Sequence, residues 1–304
     1  MYELLKPEYL WRPGQVWRRI FFKPSRSIGP LALPWNCGIR ASSADAIGAA
    51  IGTQGIYDLP LTEAILRLAD PGETGIDVGA NVGYMSLVLA RATGARGRVV
   101  CFEPNAEIIP TLRENVSEWS ALGIAPIEVQ TVALSEHDGE ASLGFPSDYE
   151  GNRGTASLEI ASGGTPVAVR RMDSLVTGPV GVMKVDVEGH EPGVFAGARD
   201  LLARKQVRDI LFEEHQSYPA RSHQMLLGHG YHLFRLTRSP WRPLLLPPDA
   251  ASQQSYLPSN FLATTDPSRA LARFQAWGWR ALRPGPRIEQ AAPQGSPLAG
   301  EARD

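Results

Sequence analysis

Between Thr74 and Leu134 the chain alternates short apolar runs with helical patterns, and this alternation limits the possible folds more than any other feature. "TGIDVGA" reads as a strand, "YMSLVLARAT" as a helix and "RVVCFEP" as a strand. "AEIIPTLRENVSEWSAL" is the next helix and "IEVQTVAL" the next strand. Strands separated by helices need crossover connections, which lay the strands parallel and cover both faces of the sheet. The expectation is an α/β fold with a doubly wound, mostly parallel sheet. Its rhythm breaks between Ser135 and Arg171, where "GEASLGF", "GTASLEI" and "PVAVRR" are short β-like runs between Gly, Asn, Asp and Pro turns. This stretch, about 135–171, reads as an antiparallel β-rich insertion after the third core strand. The βα rhythm then resumes with "VGVMKVDVEG", a helix from Pro192 to about Lys205, the strand "RDILFEEH", the helix "RSHQMLLGHG" and the strand "YHLFRLT". "SNFLATT" is placed to close the sheet as a last strand.

Outside this core, residues 1–42 are rich in Trp, Arg and Pro without clear periodicity and read as an N-terminal arm. Residues 43–283 form the domain, and the Pro-, Gly- and Ala-rich tail 284–304 has the composition of a disordered segment. A chain of 304 residues, 43% hydrophobic and 20% charged, can bury a large core. Its net charge of -2 and lack of a long basic block argue against nucleic acid as the main partner. Cys37 and Cys101 are the only cysteines and are not in metal-ligand spacing, so a reducing cytoplasm is the simplest compartment. No run of 18 apolar residues occurs and the N-terminus lacks a signal-peptide pattern, so neither a membrane span nor export is expected. The arm does mix Trp11, Trp17, Phe21 and Phe22 with Arg12, Arg18, Arg19 and Lys23. That mixture suits a membrane surface or a partner, although a helix packed on the domain is the simpler reading. Oligomeric state is not legible.

The first strand runs into "GIDVGANVGY". A nicotinamide-binding G-x-G-x-x-G would need glycine where Asn81 and Tyr84 stand, so that fingerprint fails. What remains is D-x-G-x-N-x-G, with Asp77, Gly79, Asn81 and Gly83. An acid before such a turn can accept from an ammonium group, and the glycines admit close backbone approach. This suits an amino acid attached to a nucleoside better than a pyrophosphate. Glu103 lies 24 residues beyond Gly79 at the end of the second strand, where a carboxylate can accept both ribose hydroxyls. The third strand's end, "VALSE", would lie beside the adenine.

Together "DVGANVG", "FEPN", "NRGTASL", "MDSL", "MKVDVEGHE" and "NFLATT" resemble the FkbM family of S-adenosylmethionine-dependent methyltransferases over roughly residues 55–265. The resemblance implies a class I methyltransferase (Rossmann-like) fold with S-adenosyl-L-methionine as cofactor. It places Asp77, Gly79, Asn81 and Gly83 on the methionine side and Glu103 on the ribose. Asn105 in "FEPN" and Ala133 in "VALSE" complete the expected cofactor-binding set. It further implies O-methyl transfer to a hydroxyl of a small molecule, sugar, glycolipid or polyketide.

The chemistry should lie in "KVDVEGHE". Alternation in a strand puts Lys184, Asp186 and Glu188 on one face, at the sheet edge where ligands of open α/β folds bind. The next strand adds Glu213, Glu214 and His215 in "FEEH". Methyl transfer to an alcohol needs the donor and hydroxyl in line and a proton removed. His215 is the first candidate base, against the plain alternative of a surface histidine. Asp186 is second, as base or as ligand of the substrate hydroxyl or cofactor ammonium, with Glu188 beside it. His190 and Glu191 belong to a helix start, where an acid followed by Pro192 is ordinary. Asp186 with Glu188, Glu213 or Glu214 could hold magnesium, but Lys184 shares their face, so no metal is expected. Asn152 and Arg153 could face substrate from a lid, and Tyr57 and Asp58 could close over the cofactor; solvated or structural roles are the alternatives. A metal-dependent O-methyltransferase of this fold or a silent cofactor-binding subunit are the alternative functions.

Overall fold

The computed structural model describes residues 6–146, 155–160, 164–250 and 259–284. The predicted tail after Pro284 and the lid residues Asn152 and Arg153 lie outside the described residues. The described residues begin with the short helices α1 (Pro7–Leu10) and α2 (Gly14–Phe21). The antiparallel hairpin β1 (Ile28–Ala32) and β2 (Gly38–Ser42) comes next, then α3 (Ala46–Gln54) and α4 (Leu59–Leu68). The core proper runs β3 (Thr74–Val78), α5 (Tyr84–Thr93), β4 (Arg98–Phe102), α6 (Ile109–Trp119) and β5 (Ile127–Gln130). After the short β6 (Ala133–Leu134), β7 (Gly139–Leu143) and β8 (Thr165–Arg170) come α7 (Met172–Leu175) and β9 (Val180–Val185). The chain continues through α8 (Glu191–Gly197), α9 (Arg199–Ala203), β10 (Val207–Glu213), α10 (Arg221–Gly228), β11 (His232–Arg238), β12 (Pro243–Leu246), β13 (Asn260–Thr264) and α11 (Pro267–Gln275).

Among the described residues eight strands form one sheet in the order β12-β11-β13-β10-β9-β3-β4-β5. From β5 to β10 every pair is parallel, and β13 enters antiparallel between β10 and β11. "NFLATT" is thus the last core strand, but it fills an interior slot instead of an edge; its five residues are all buried, as that slot requires. The same explanation covers β9, "VGVMKV", buried along its whole length. Period-2 alternation divides the strand side chains between two helix layers. Val182, Leu211 and Leu262 face α4 and α5 on one side, whereas Met183, Ile210 and Phe212 face α8, α9 and α10 on the other.

Three expectations are corrected. "IEVQTVAL" is not one strand: β5 ends at Gln130, and Ala133–Leu134 joins a separate three-stranded sheet, β6-β8-β7. In the insertion β7 and β8 pair antiparallel as expected, but of "GTASLEI" only Ser157 bridges among the described residues, to Gly144. The helix expected from Pro192 to Lys205 breaks at Ala198 into α8 and α9.

The N-terminal segment is likewise more than an arm. Leu33, Trp35 and Ile39 of the hairpin region belong to the main core. Trp35 Nε1 donates to the Ala281 carbonyl, Trp119 Nε1 to the Gly38 carbonyl, and the Asn115 side chain bonds both backbone groups of Arg40. These are aromatic and backbone contacts between distant segments, which leave no periodic trace in the sequence. No described helix is long and apolar enough to cross a membrane. Trp35→Ala should therefore lower the unfolding free energy by about 3–5 kcal/mol, the usual range for deleting a buried large aromatic, as read from denaturant midpoints. A loss below about 1 kcal/mol would mean the hairpin is only loosely attached.

Candidate active site

A cleft of about 1020 Å³, counted to its open mouth, lies at the carboxyl ends of β3, β4 and β9. It opens there because the sheet order reverses at β3: β4 and β5 lie on one side and β9 on the other, so the loops after β3 and β9 part. The loop after β3 makes the floor. Gly79 has φ +74, and a Cβ there would lie 1.9 Å from the Asp186 carbonyl oxygen, so only glycine lets the two strand ends meet. Gly83, at φ +91, caps the start of α5, and a Cβ would press on Leu112 at 2.7 Å. Between them Asn81 also has positive φ, its side-chain oxygen accepting from the Val82 N–H.

Glu103 ties this loop to the next. Its Oε2 accepts from the Asn81 N–H at 2.8 Å and its Oε1 from the Asn105 N–H at 2.9 Å. The residue is 6% exposed, and burial raises its pKa against the pull of those two bonds. Asn105 uses its side-chain oxygen on the Glu107 N–H. Beyond Glu103 the wall turns apolar, with Ile108, Val132, Ala133 and Leu134.

The opposite end of the cleft is acidic, organised by Lys184. Parallel register sets Lys184 beside Asp77, and their groups meet at 3.3 Å. Lys184 Nζ also donates to the carbonyls of Gly79 at 2.8 Å and Val78 at 3.2 Å, and lies 3.7 Å from Asp186. Burial works against its charge, but the two carboxylates raise its pKa. Asp77 is 0% exposed, its other oxygen takes the Ser86 hydroxyl at 2.6 Å, and it does not line the cleft. The expectation that Asp77 meets a ligand ammonium directly is corrected on that ground: its charge is used by Lys184.

Asp186 and Glu188 do line the cleft, as does Tyr57. Glu188 sits at φ +54, a sparsely populated conformation for a residue with a side chain. Burial first, and then the Asp186 charge, push its pKa up to about 7. Glu213 at the end of β10 is raised by the same two causes, and burial followed by the Asp186 charge raises the Tyr57 phenol. Asp58 is committed elsewhere: it caps α4 through the Leu61 N–H and accepts from Asn260 Nδ2 at 2.7 Å.

His215 is not where alternation put it. Its ring is 58% exposed, 3.8 Å from Glu213, and it does not line the cleft. β10 ends at Glu213, and Glu214 turns inward to accept the Gln216 N–H, so the strand's alternation no longer aims the residues beyond it. The histidine of the cleft is instead His190. It stands at the start of α8, yet its ring lines the cleft, held by Glu159 at 2.6 Å and the Ser135 hydroxyl at 3.1 Å. Both partners come from the insertion, a pairing that spacing along the chain cannot reveal. Glu191 has the structural role expected of it, accepting from the Val187 N–H at 3.0 Å. Among the described residues no group of three or more His, Cys, Asp or Glu side chains is arranged to hold a metal ion.

Comparison with known proteins bears on this cleft. The family model of the methyltransferase FkbM domain matches residues 77–233, which begins near the end of β3 and ends within β11. No curated protein gives a significant sequence match. Among solved structures, the methyltransferase FkbM from Methylobacillus flagellatus is 16% identical over 72% of this chain and 61% of its own length, with a TM-score of 0.42. An S-adenosylmethionine-dependent O-methyltransferase from Thermotoga maritima is 16% identical over 69% of this chain and 65% of that one, TM-score 0.41. Aeropyrum pernix fibrillarin, solved with natively bound S-adenosyl-L-methionine, is 13% identical over 81% and 86%, TM-score 0.39. With more than half of its length matched by that family model, the strand ends that line the cleft among it, the chain belongs to the methyltransferase FkbM family.

Proposed function

We propose that the protein is an S-adenosylmethionine-dependent O-methyltransferase acting on a hydroxyl of a small molecule or glycan. The observation that carries the reading is the order of the strand ends that line the cleft: β9 leads to Lys184, Asp186 and Glu188, β4 to Glu103, and β5, at the sheet edge, to Val132 and Ala133, with Ile108 also in the lining. This order matches amino acid, ribose and adenine. Asp186 suits the amino group, and Glu103, already oriented by two backbone N–H donors, keeps lone pairs for ribose hydroxyls. The cofactor supplies an electrophilic methyl on a sulfonium.

What the chain must add is alignment and a proton acceptor. Glu188 suits the second task better than His215, because it lines the cleft and its pKa of about 7 balances availability against basicity near neutral pH. Lys184 fixes Asp186 nearby, and that charge keeps the Glu188 carboxyl basic. Calorimetric titration with S-adenosylmethionine and with NAD tests the reading; binding of NAD and none of the sulfonium contradicts it.

Two substitutions divide the roles. Glu103→Ala should weaken S-adenosylmethionine binding by about 1.5–3 kcal/mol, the worth of hydrogen bonds to a charged group; unchanged affinity removes Glu103 from the ribose. Glu188→Gln should lower turnover by about two to four orders of magnitude with cofactor affinity retained, whereas His215→Ala should stay within about tenfold of the parent. Since the base acts deprotonated, parent turnover should rise as pH increases through about 7. Stability moves the other way. A carboxyl whose folded pKa lies above the unfolded 4.5 favours folding below that value and loses this contribution as pH rises through 7. Glu188→Gln should thus gain thermal stability relative to the parent as pH rises from about 5 to about 8; a constant difference across that window contradicts the assignment.

A further inference from the structure

Helix α2 turns its apolar stripe away from the domain. Its inner side is occupied by the buried Gln15, and the neighbouring Phe22 fills the space over Gly52 of α3. Trp17, Ile20 and Phe21, at i, i+3 and i+4, stand 64%, 62% and 72% exposed, with the Trp17 and Phe21 rings stacked at 6.4 Å. Beside them β1 exposes Ile28, Pro30 and Ala32 in alternation. Between the two elements runs an open groove lined by Phe21, Phe22, Leu31 and Ile51, with Arg18 among its residues. At the junction of α1 and α2, Trp11 donates to the Pro240 carbonyl, next to the exposed Trp241, whose ring lies 6.4 Å from that of Trp277.

Charge on this segment is one-sided. Residues 6–27 carry Lys6, Arg12, Arg18, Arg19, Lys23 and Arg26 against Glu8 alone, and Glu8 is buried against Arg238. The whole chain has net charge -2, so the basic excess is local. Exposed Trp, Phe and Ile interleaved with Arg and Lys are what the headgroup layer of an anionic bilayer accommodates: rings among the upper acyl chains, cations on the phosphates. A second copy of the chain suits the face poorly, since a two-fold contact would bring the same cations together.

We infer that the outward face of α2 and β1 docks on an anionic lipid bilayer, with α2 lying in the headgroup plane. The inference rests on this surface and not on the catalytic reading. The test is sedimentation of the full chain with phosphatidylcholine vesicles, alone or containing about one third phosphatidylserine. Binding is expected only to the anionic vesicles and should weaken with added salt. Arg18→Glu with Lys23→Glu should reduce it at least about tenfold, and so should Trp17→Ala with Phe21→Ala, with unfolding midpoints unchanged. Equal association with both vesicle types, or none, overturns the inference, as does parent-like binding by both double variants. A dimer that Trp17→Ala with Phe21→Ala dissolves, in a chain that does not sediment with vesicles, assigns the face to self-association instead.

Discussion

Lys184 lies on the most interior pair of strands, and its ammonium holds four groups at once: the carbonyls of Val78 and Gly79 and the carboxylates of Asp77 and Asp186. A buried ammonium costs several kcal/mol in lost hydration unless its protons are all taken up. Here two hydrogen bonds go to carbonyls where β3 stops, that of Gly79 and that of Val78, which also accepts the Asp186 N–H, and the two carboxylates flank the charge. The geometry of the cleft depends on this. With the Gly79 carbonyl fixed, the turn brings its α-carbon against the Asp186 backbone, and the Asn81 N–H reaches Glu103. The ends of β3, β4 and β9 are thus joined by one continuous polar network.

The same ammonium sorts the acids by role. Asp77, closest in register and sealed from solvent, balances the lysine. Asp186 is shared between the lysine and the cleft. Glu188, two residues further and held at positive φ, lies beyond direct neutralisation and feels Asp186 as a repelling neighbour. Three carboxylates close in sequence or register thereby acquire three different surroundings, which is the condition for dividing ligand binding from proton transfer. The insertion adds to this end, since Glu159 orients His190 and the Ser157 hydroxyl donates to the Glu188 carbonyl, bracing the strained turn from outside.

Much of this is legible in the chain because it is local. The Gly79 and Gly83 turn, Glu103 at the next strand end and the apolar strands β3, β4 and β9 are each dictated by residues within one βαβ unit. The cleft acids Asp186 and Glu188 follow from their place just past the end of β9, although Val187 between them lines the cleft too and the positive φ of Glu188 shows that strand alternation has already ended. The illegible part depends on partners far away in sequence. Asp77 faces Lys184 and not a ligand because β9 happens to lie beside β3. His215 escapes the cleft because β10 ends two residues before it, and His190 enters it because the insertion reaches over. β13 occupies an interior slot that its composition permits but its position at the end of the core does not suggest. Trp35 and Trp119 join the N-terminal hairpin to the core through single long-range bonds that no period announces.

The central claim is that the cleft receives its cofactor in a fixed orientation, acids to the amino acid and apolar wall to the base. A crystal structure of the chain with S-adenosylhomocysteine tests it most directly. The account predicts the ribose hydroxyls on Glu103, the adenine beside Ala133 and the sulfur turned toward Glu188. Density in the reverse orientation, or a ligand outside the space between Gly79 and Glu103, would contradict it.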